Sequence, residues 1–128
     1  MSLKSLLFHF EGRLSRGQYG KILLLIFIPL LVFMVFMAAL DGLSPAPGDT
    51  VVQTIALVVL LIEVVWALLS IWILFAAMTK RLHDFNKREW ALLLVFVPFI
   101  GSVLPFALLF FPGDASDNRF GPPPTDIL

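Results

Sequence analysis

Three long apolar runs, almost empty of charge, limit what this chain can fold into more than any other feature. Residues 22–40 and 91–111 contain no ionisable side chain, and residues 51–78 contain one, Glu63. A bilayer core is about 30 Å thick, and a helix needs about 20 apolar residues to cross it. Each run meets or approaches that length. The second, as a helix, reaches about 42 Å and has to tilt or protrude. Hydrophobic residues make up 59% of the 128, against about 45–50% in soluble domains. A soluble fold of this size cannot hide that much Leu, Val and Phe. Backbone polar groups in lipid must be satisfied within the segment, which favours helices. The expectation is an all-α integral membrane protein with three transmembrane helices, 22–40, 51–78 and 91–111, in a single membrane domain.

The connecting segments refine this picture. In the lead, residues 1–21, Leu3, Leu6, Leu7 and Phe10 recur at helical spacing. They predict a short amphipathic interfacial helix with Lys4 on its wet side, ended by Gly12. A cleaved secretory leader fits poorly, because the first apolar run exceeds the about 7–15 residues of a leader's apolar region. Pro29 predicts a kink in the first run. Residues 41–50 are turn-rich, and residues 79–90 form a basic loop. Pro98, Gly101 and Pro105 interrupt the third run, which is then kinked or partly re-entrant. Residues 112–128, rich in Pro, Gly and Asp, read as an irregular tail.

Basic residues are retained on the cytoplasmic side of a membrane. The lead carries Lys4, Arg13, Arg16 and Lys21, and the 79–90 loop carries Lys80, Arg81, Lys87 and Arg88. The 41–50 loop has none, and the tail has only Arg119 against Asp114, Asp117 and Asp126. Three crossings follow, with the N-terminus and second loop inside and the first loop and tail outside. A re-entrant third segment would return the tail to the inside. Tyr19 and Trp90 fall where aromatic rings anchor at the interface. The formal net charge of +0 and the lack of any groove-reading motif argue against nucleic acid. Having no Cys, the chain forms no disulfide and uses no thiolate.

Three short motifs, in order around the apolar runs, carry a family resemblance. They are Phe10-Glu-Gly-Arg13-Leu-Ser-Arg16-Gly-Gln-Tyr19, then Lys80-Arg-Leu-His-Asp84 with Trp90 following, then Asn118-Arg-Phe-Gly-Pro122. Together they resemble the DUF805 family of small bacterial inner-membrane proteins of unknown function, over nearly the whole chain. The resemblance implies a multi-pass protein of the bacterial inner membrane, and the charge pattern above places the N-terminus in the cytoplasm and the C-terminus in the periplasm. The resemblance implies no chemistry. Gly20 stands where the family commonly has an aromatic residue. Arg88-Glu-Trp90 replaces a Ser-Gly-Trp-like turn.

Two constellations are candidates for function. On the cytoplasmic side, Arg13 and Arg16 can meet Asp84, and Arg81 can meet Glu11 or Asp84, in bidentate pairs that clamp geometry well. With His83 and Arg119 these residues form a candidate cluster for a partner or for anionic lipid. A bland staple is the alternative reading. His9, His83, Glu11 and Asp84 are suitable metal ligands by type, but no i, i+4 spacing pairs the histidines. No metal or cofactor is expected. Within the second run, Ala56, Glu63, Ser70 and Ala77 fall seven apart on one helix stripe, a pattern of helix packing in lipid. Ser102 and carbonyls freed by Pro29 or Pro98 are candidate partners for Glu63.

No Walker loop, dinucleotide fingerprint, zincin motif or nucleophile elbow is present. The leading expectation is a non-enzymatic scaffold or accessory subunit, binding membrane lipid and another membrane protein or further copies of itself. One rival is a homo-oligomeric transporter or proton path through Glu63. Another is a lipid-modifying enzyme with His83 and Asp84 as acid and base.

Overall fold

The computed structural model describes residues 3–42 and 49–124. In chain order it has α1 (Leu3–Phe8), α2 (Arg16–Gly42), α3 (Thr50–Asp84), a 3-10 helix (Glu89–Phe96) and α4 (Ile100–Phe110). No strand occurs among the described residues, where Asn118 and Gly121 form one isolated bridge. By contact, the chain divides into two compact units, Met1–Leu23 with Trp72–Leu128, and Leu24–Ile71.

Local chemistry sets the helix ends. Ser15 and Gln18 form a reciprocal capping box: the Gln18 amide donates to Ser15 Oγ and the Ser15 amide to Gln18 Oε1, each at 3.2 Å. α2 therefore starts at Arg16, well ahead of the apolar run, and continues through Pro29 to Gly42. At 27 residues it is about 40 Å long. The Asp49 carboxylate accepts from the amides of Val51 (3.1 Å) and Val52 (3.2 Å), an N-cap that starts α3 at Thr50. Most of the 41–50 loop lies outside the described residues. α3 runs 35 residues, about 52 Å. Its last turns take up Thr79–Asp84, so half of the expected basic loop is helix. A Schellman turn closes it: Lys87 N–H donates to Leu82 O (2.9 Å), Asn86 N–H to His83 O (3.0 Å), and Asn86 takes the left-handed conformation at φ 57°.

In the unit Leu24–Ile71, most apolar side chains face outward. Leu31, Val35, Ile62 and Leu68 are each more than half exposed, a surface suited to lipid and not to water. The half-covered positions recur at alternating spacings of three and four: Pro29, Phe33, Phe36 and Leu40 in α2, and Val52, Ala56, Val59, Glu63 and Trp66 in α3. Spacing of this kind is what a helix presents along a seam with another helix. Trp66 Nε1 reaches the Ile26 carbonyl at 3.4 Å.

The unit Met1–Leu23 with Trp72–Leu128 holds most of the core, including Leu6, Leu14, Tyr19, Ile22, Ile73, Met78, Leu82 and Leu108. Here the third apolar run is interrupted. Residues 91–111 do not form one spanning helix. They fold as the 3-10 helix and α4, each about 16 Å long, joined by a bend at Val97–Phe99 and packed on each other. Phe99 sits at φ 65°. At Gly101 the backbone passes so close to the Val95 carbonyl that any Cβ would collide with it. Neither arm alone covers a hydrocarbon core of about 30 Å, so two helices, α2 and α3, are long and apolar enough to cross a membrane and the third crossing is not confirmed.

The tail packs directly on the end of α3, where Asp114 N–H donates to the Asp84 carbonyl at 2.8 Å. The tail is irregular, as expected, but it is docked by main-chain and side-chain hydrogen bonds.

Candidate functional site

Among the described residues, the densest polar structure is centred on Asp84, in the last turn of α3. Its carboxylate is shared by two guanidiniums. Arg13 approaches one oxygen, with Nε at 3.0 Å and Nη2 at 2.9 Å, and Arg81 Nη1 pairs with the other. All three residues are buried. Asp84 lies close against Gly113, and a side chain there would occupy the space of its carboxylate.

One carboxylate balances only one of the two cations, and main-chain carbonyls complete the shell. Arg13 Nη1 donates to Ser116 O (2.8 Å) and Gly121 O (3.2 Å), and Nη2 to Asp114 O. Arg81 Nε donates to Leu108 O (2.9 Å), Nη1 to Leu14 O (3.1 Å), and Nη2 to Phe111 O. The Leu108 and Phe111 carbonyls lie at the C-terminal end of α4, where a helix leaves acceptors unpaired and carries partial negative charge. Arg81 therefore caps α4. Its neighbour Lys80, fully buried, does the same for α1, donating from Nζ to Ser5 O (3.0 Å) and Leu6 O. That capture ends α1 at Phe8, ahead of Gly12.

A second layer joins the tail to the lead. Asn118 Nδ2 donates to the His83 carbonyl at 2.9 Å, and its Oδ1 accepts from Phe120 N–H at 2.9 Å. The Phe120 ring stacks on the His83 imidazole at 3.8 Å, within 6° of parallel. His83 Nδ1 lies 3.1 Å from Gly12 O. Arg119 Nη2 donates to Asn86 O at 2.7 Å, and its guanidinium carbon sits 4.8 Å from the Phe120 centroid. The fully buried Tyr19 hydroxyl donates to Pro105 O at 2.8 Å. Sequence reasoning gave Tyr19 only an anchoring role.

The predicted cluster therefore separates. Arg13, Arg81 and Asp84 come together in one saturated ion network. His83 and Arg119 join through the Phe120 ring and line an open cavity of about 560 Å³ with Glu11. Arg16 is exposed and forms no ion pair among the described residues, although it borders a cavity of about 370 Å³ beside Asp84 and Asp114. Among the described residues no three His, Asp or Glu side chains stand close enough to hold a metal ion. Of the α3 stripe, Ala56 and Glu63 are half-buried, while Ser70 and Ala77 are buried. Ser102, a candidate partner for Glu63, instead donates to Phe99 O in its own helix at 2.9 Å.

These features define a small helical protein with two long helices dressed for lipid and a charge-stapled cap built from three separate stretches of chain. The chain belongs to the family described as a protein of unknown function, DUF805, whose model matches residues 7–122. It is similar to the inner membrane protein YhaH of Escherichia coli (strain K12). The two are 30% identical over 118 residues, covering 90% of this chain and 86% of the relative. The same figures hold for YhaH of Escherichia coli O157:H7. No solved structure matches.

Proposed function

We propose that this protein is an inner-membrane scaffold or accessory subunit that crosses the bilayer twice, through α2 and α3. Both termini lie in the cytoplasm. The hairpin of residues 89–111 returns to the side it entered from, and α1 rests at the same interface. The distribution of charge supports this arrangement. Every Lys and Arg of the chain belongs to the unit Met1–Leu23 with Trp72–Leu128, and none to Leu24–Ile71, the asymmetry that retains a segment in the cytoplasm.

The observation that carries the non-enzymatic reading is the saturation of the Asp84 network. Its guanidiniums and carboxylate are buried and satisfied by each other and by main-chain carbonyls. A network so committed builds a rigid platform and has no proton or nucleophile to spare. Binding then falls to the exposed apolar faces of α2 and α3 and to the cations that stay outside the network, and the partner is another membrane protein. Photo-crosslinkers at Leu31, Val35 and Leu68 in living cells test this. The reading expects discrete protein adducts at one face, retained as a complex of fixed mass after gentle extraction. A chain that crosslinks to lipid alone and extracts as a monomer refutes it.

Glu63, half-buried in the apolar stretch of α3, favours one rival, a proton or solute path through a homo-oligomer. Glu63→Gln separates the two. Loss of flux in liposomes with the complex intact supports the path. An intact complex with no wild-type flux supports the scaffold.

A further inference from the structure

The cavity beside His83 holds two opposite charges that the fold leaves unneutralised. Glu11 and Arg119 both line it. Glu11 is exposed and has no hydrogen bond or ion pair among the described residues, and it makes none with Arg119. Arg119 is held from two sides: Nη2 on the Asn86 carbonyl at 2.7 Å, and the guanidinium over the Phe120 ring, itself stacked on His83. Its remaining donors, Nε and Nη1, have no acceptor among the described residues. A planar fork fixed this way keeps the geometry that suits a phosphate and loses little freedom on binding.

Part of the lining is apolar. Phe10 and Leu92 line the same cavity, and Phe10 packs edge-on to Trp72, with ring centroids 5.3 Å apart at 80°. Trp72 Nε1 reaches the Phe8 carbonyl at 3.4 Å, and Phe8, Phe10 and Trp72 are all part-exposed. Aromatic rings with a polar edge are favoured where acyl chains meet headgroups.

We infer that this cavity binds one phospholipid whose headgroup joins a phosphate to a primary ammonium, an ethanolamine-type headgroup. The phosphate meets the Arg119 fork, the ammonium donates to the Glu11 carboxylate, and the acyl chains lie along Phe10 and Trp72. Charge complementarity selects this class: an anionic headgroup satisfies Arg119 but leaves Glu11 facing like charge. The inference rests on the membrane placement proposed above and is independent of any protein partner.

The test is native mass analysis of the delipidated full chain, titrated with phosphatidylethanolamine, phosphatidylglycerol and soluble phosphoethanolamine. Wild type is expected to prefer phosphatidylethanolamine over phosphatidylglycerol by on the order of tenfold, the scale of one charged hydrogen bond. Glu11→Gln should bring that ratio to near parity while phosphatidylglycerol still binds. Arg119→Gln should weaken both lipids. If Arg119→Gln fails to fold, the Glu11→Gln ratio decides alone, since Glu11 lies outside every contact that holds the cap. Equal retention of the two lipids by wild type, or an unchanged ratio in Glu11→Gln, overturns the inference. Soluble phosphoethanolamine binding as tightly as the lipid overturns the assignment to a membrane lipid. Neither result alters the crosslinks that test the scaffold reading.

Discussion

Replacing Asp84 by Asn removes a charge and almost no volume. In the native cap one carboxylate serves two buried guanidiniums, Arg13 at 2.9–3.0 Å and Arg81 on the other oxygen. The variant leaves both buried cations without a counter-charge. Breaking a buried pair by deleting one partner costs about 3–5 kcal/mol, because the orphaned charge remains buried. The amide oxygen still accepts one hydrogen bond, which places the expected loss near the lower end, about 3 kcal/mol. For a chain of this size that corresponds to a drop in thermal midpoint on the order of 10 °C. The assay is a melt in mild detergent followed by near-ultraviolet circular dichroism, with Arg16→Ala as the control. Arg16 is exposed and outside the network, so its loss should stay within about 0.5 kcal/mol. Adding Arg13→Met to Asp84→Asn should cost less than the sum of the single changes, by about 1–3 kcal/mol, because the two residues share one interaction. Because the pair is buried, the Asp84→Asn loss should also hardly change between low and high salt. A melt of Asp84→Asn within about 2 °C of wild type, or strict additivity with Arg13→Met, refutes the reasoning.

Three further outcomes follow from particular contacts. Gly101→Ala drives a methyl group into the Val95 carbonyl and should cost about 1–3 kcal/mol, seen as a lower melt and as faster proteolysis within 89–111. Tyr19→Phe strips the donor from the buried Pro105 carbonyl and should cost about 1–2 kcal/mol, measured in the same melt. Asp49→Ala removes the N-cap of α3 and should cost about 1 kcal/mol, read as faster amide exchange at Val51 and Val52 with no change at Asp84.

Some of this architecture is legible in the residues and some is not. The apolar runs at 22–40 and 51–78 announce α2 and α3, because no other backbone conformation satisfies itself over that length in lipid. Their starts are readable too: Ser15 three residues ahead of Gln18, and Asp49 just ahead of the second run, are local capping signals. The meeting of Arg13 and Arg81 with Asp84 follows from placing the basic stretches on one side. The doubling back of 91–111 follows only in part, because Pro98, Gly101 and Pro105 announce a kink or a re-entrant turn without choosing between them. Its length and apolar content match a span, and the deciding fact is the approach of the Gly101 backbone to Val95, a tertiary contact. The docking of the tail is legible only in part. The Asn118–Pro122 motif supplies side-chain anchors to His83 and Asn86, but the others are the carbonyls of Asp114, Ser116 and Gly121, which every residue possesses and which gain meaning only once a buried guanidinium faces them. The role of Lys80 as the cap of α1 is similarly masked, because in a basic stretch it reads as one more interfacial cation.

The central claim is that the lead, the end of α3 and the tail are stapled into one cap on one membrane face, with two crossings between. The chain has no Cys, so single cysteines report without background. Membrane-impermeant thiol labelling of His9→Cys, Lys87→Cys, Asp117→Cys and Asp41→Cys, in intact spheroplasts and in inverted vesicles, reads the sidedness directly. The account predicts that positions 9, 87 and 117 react only in inverted vesicles and position 41 only in spheroplasts. Labelling of position 117 from the spheroplast side would separate the tail from Arg13 by a bilayer and contradict it.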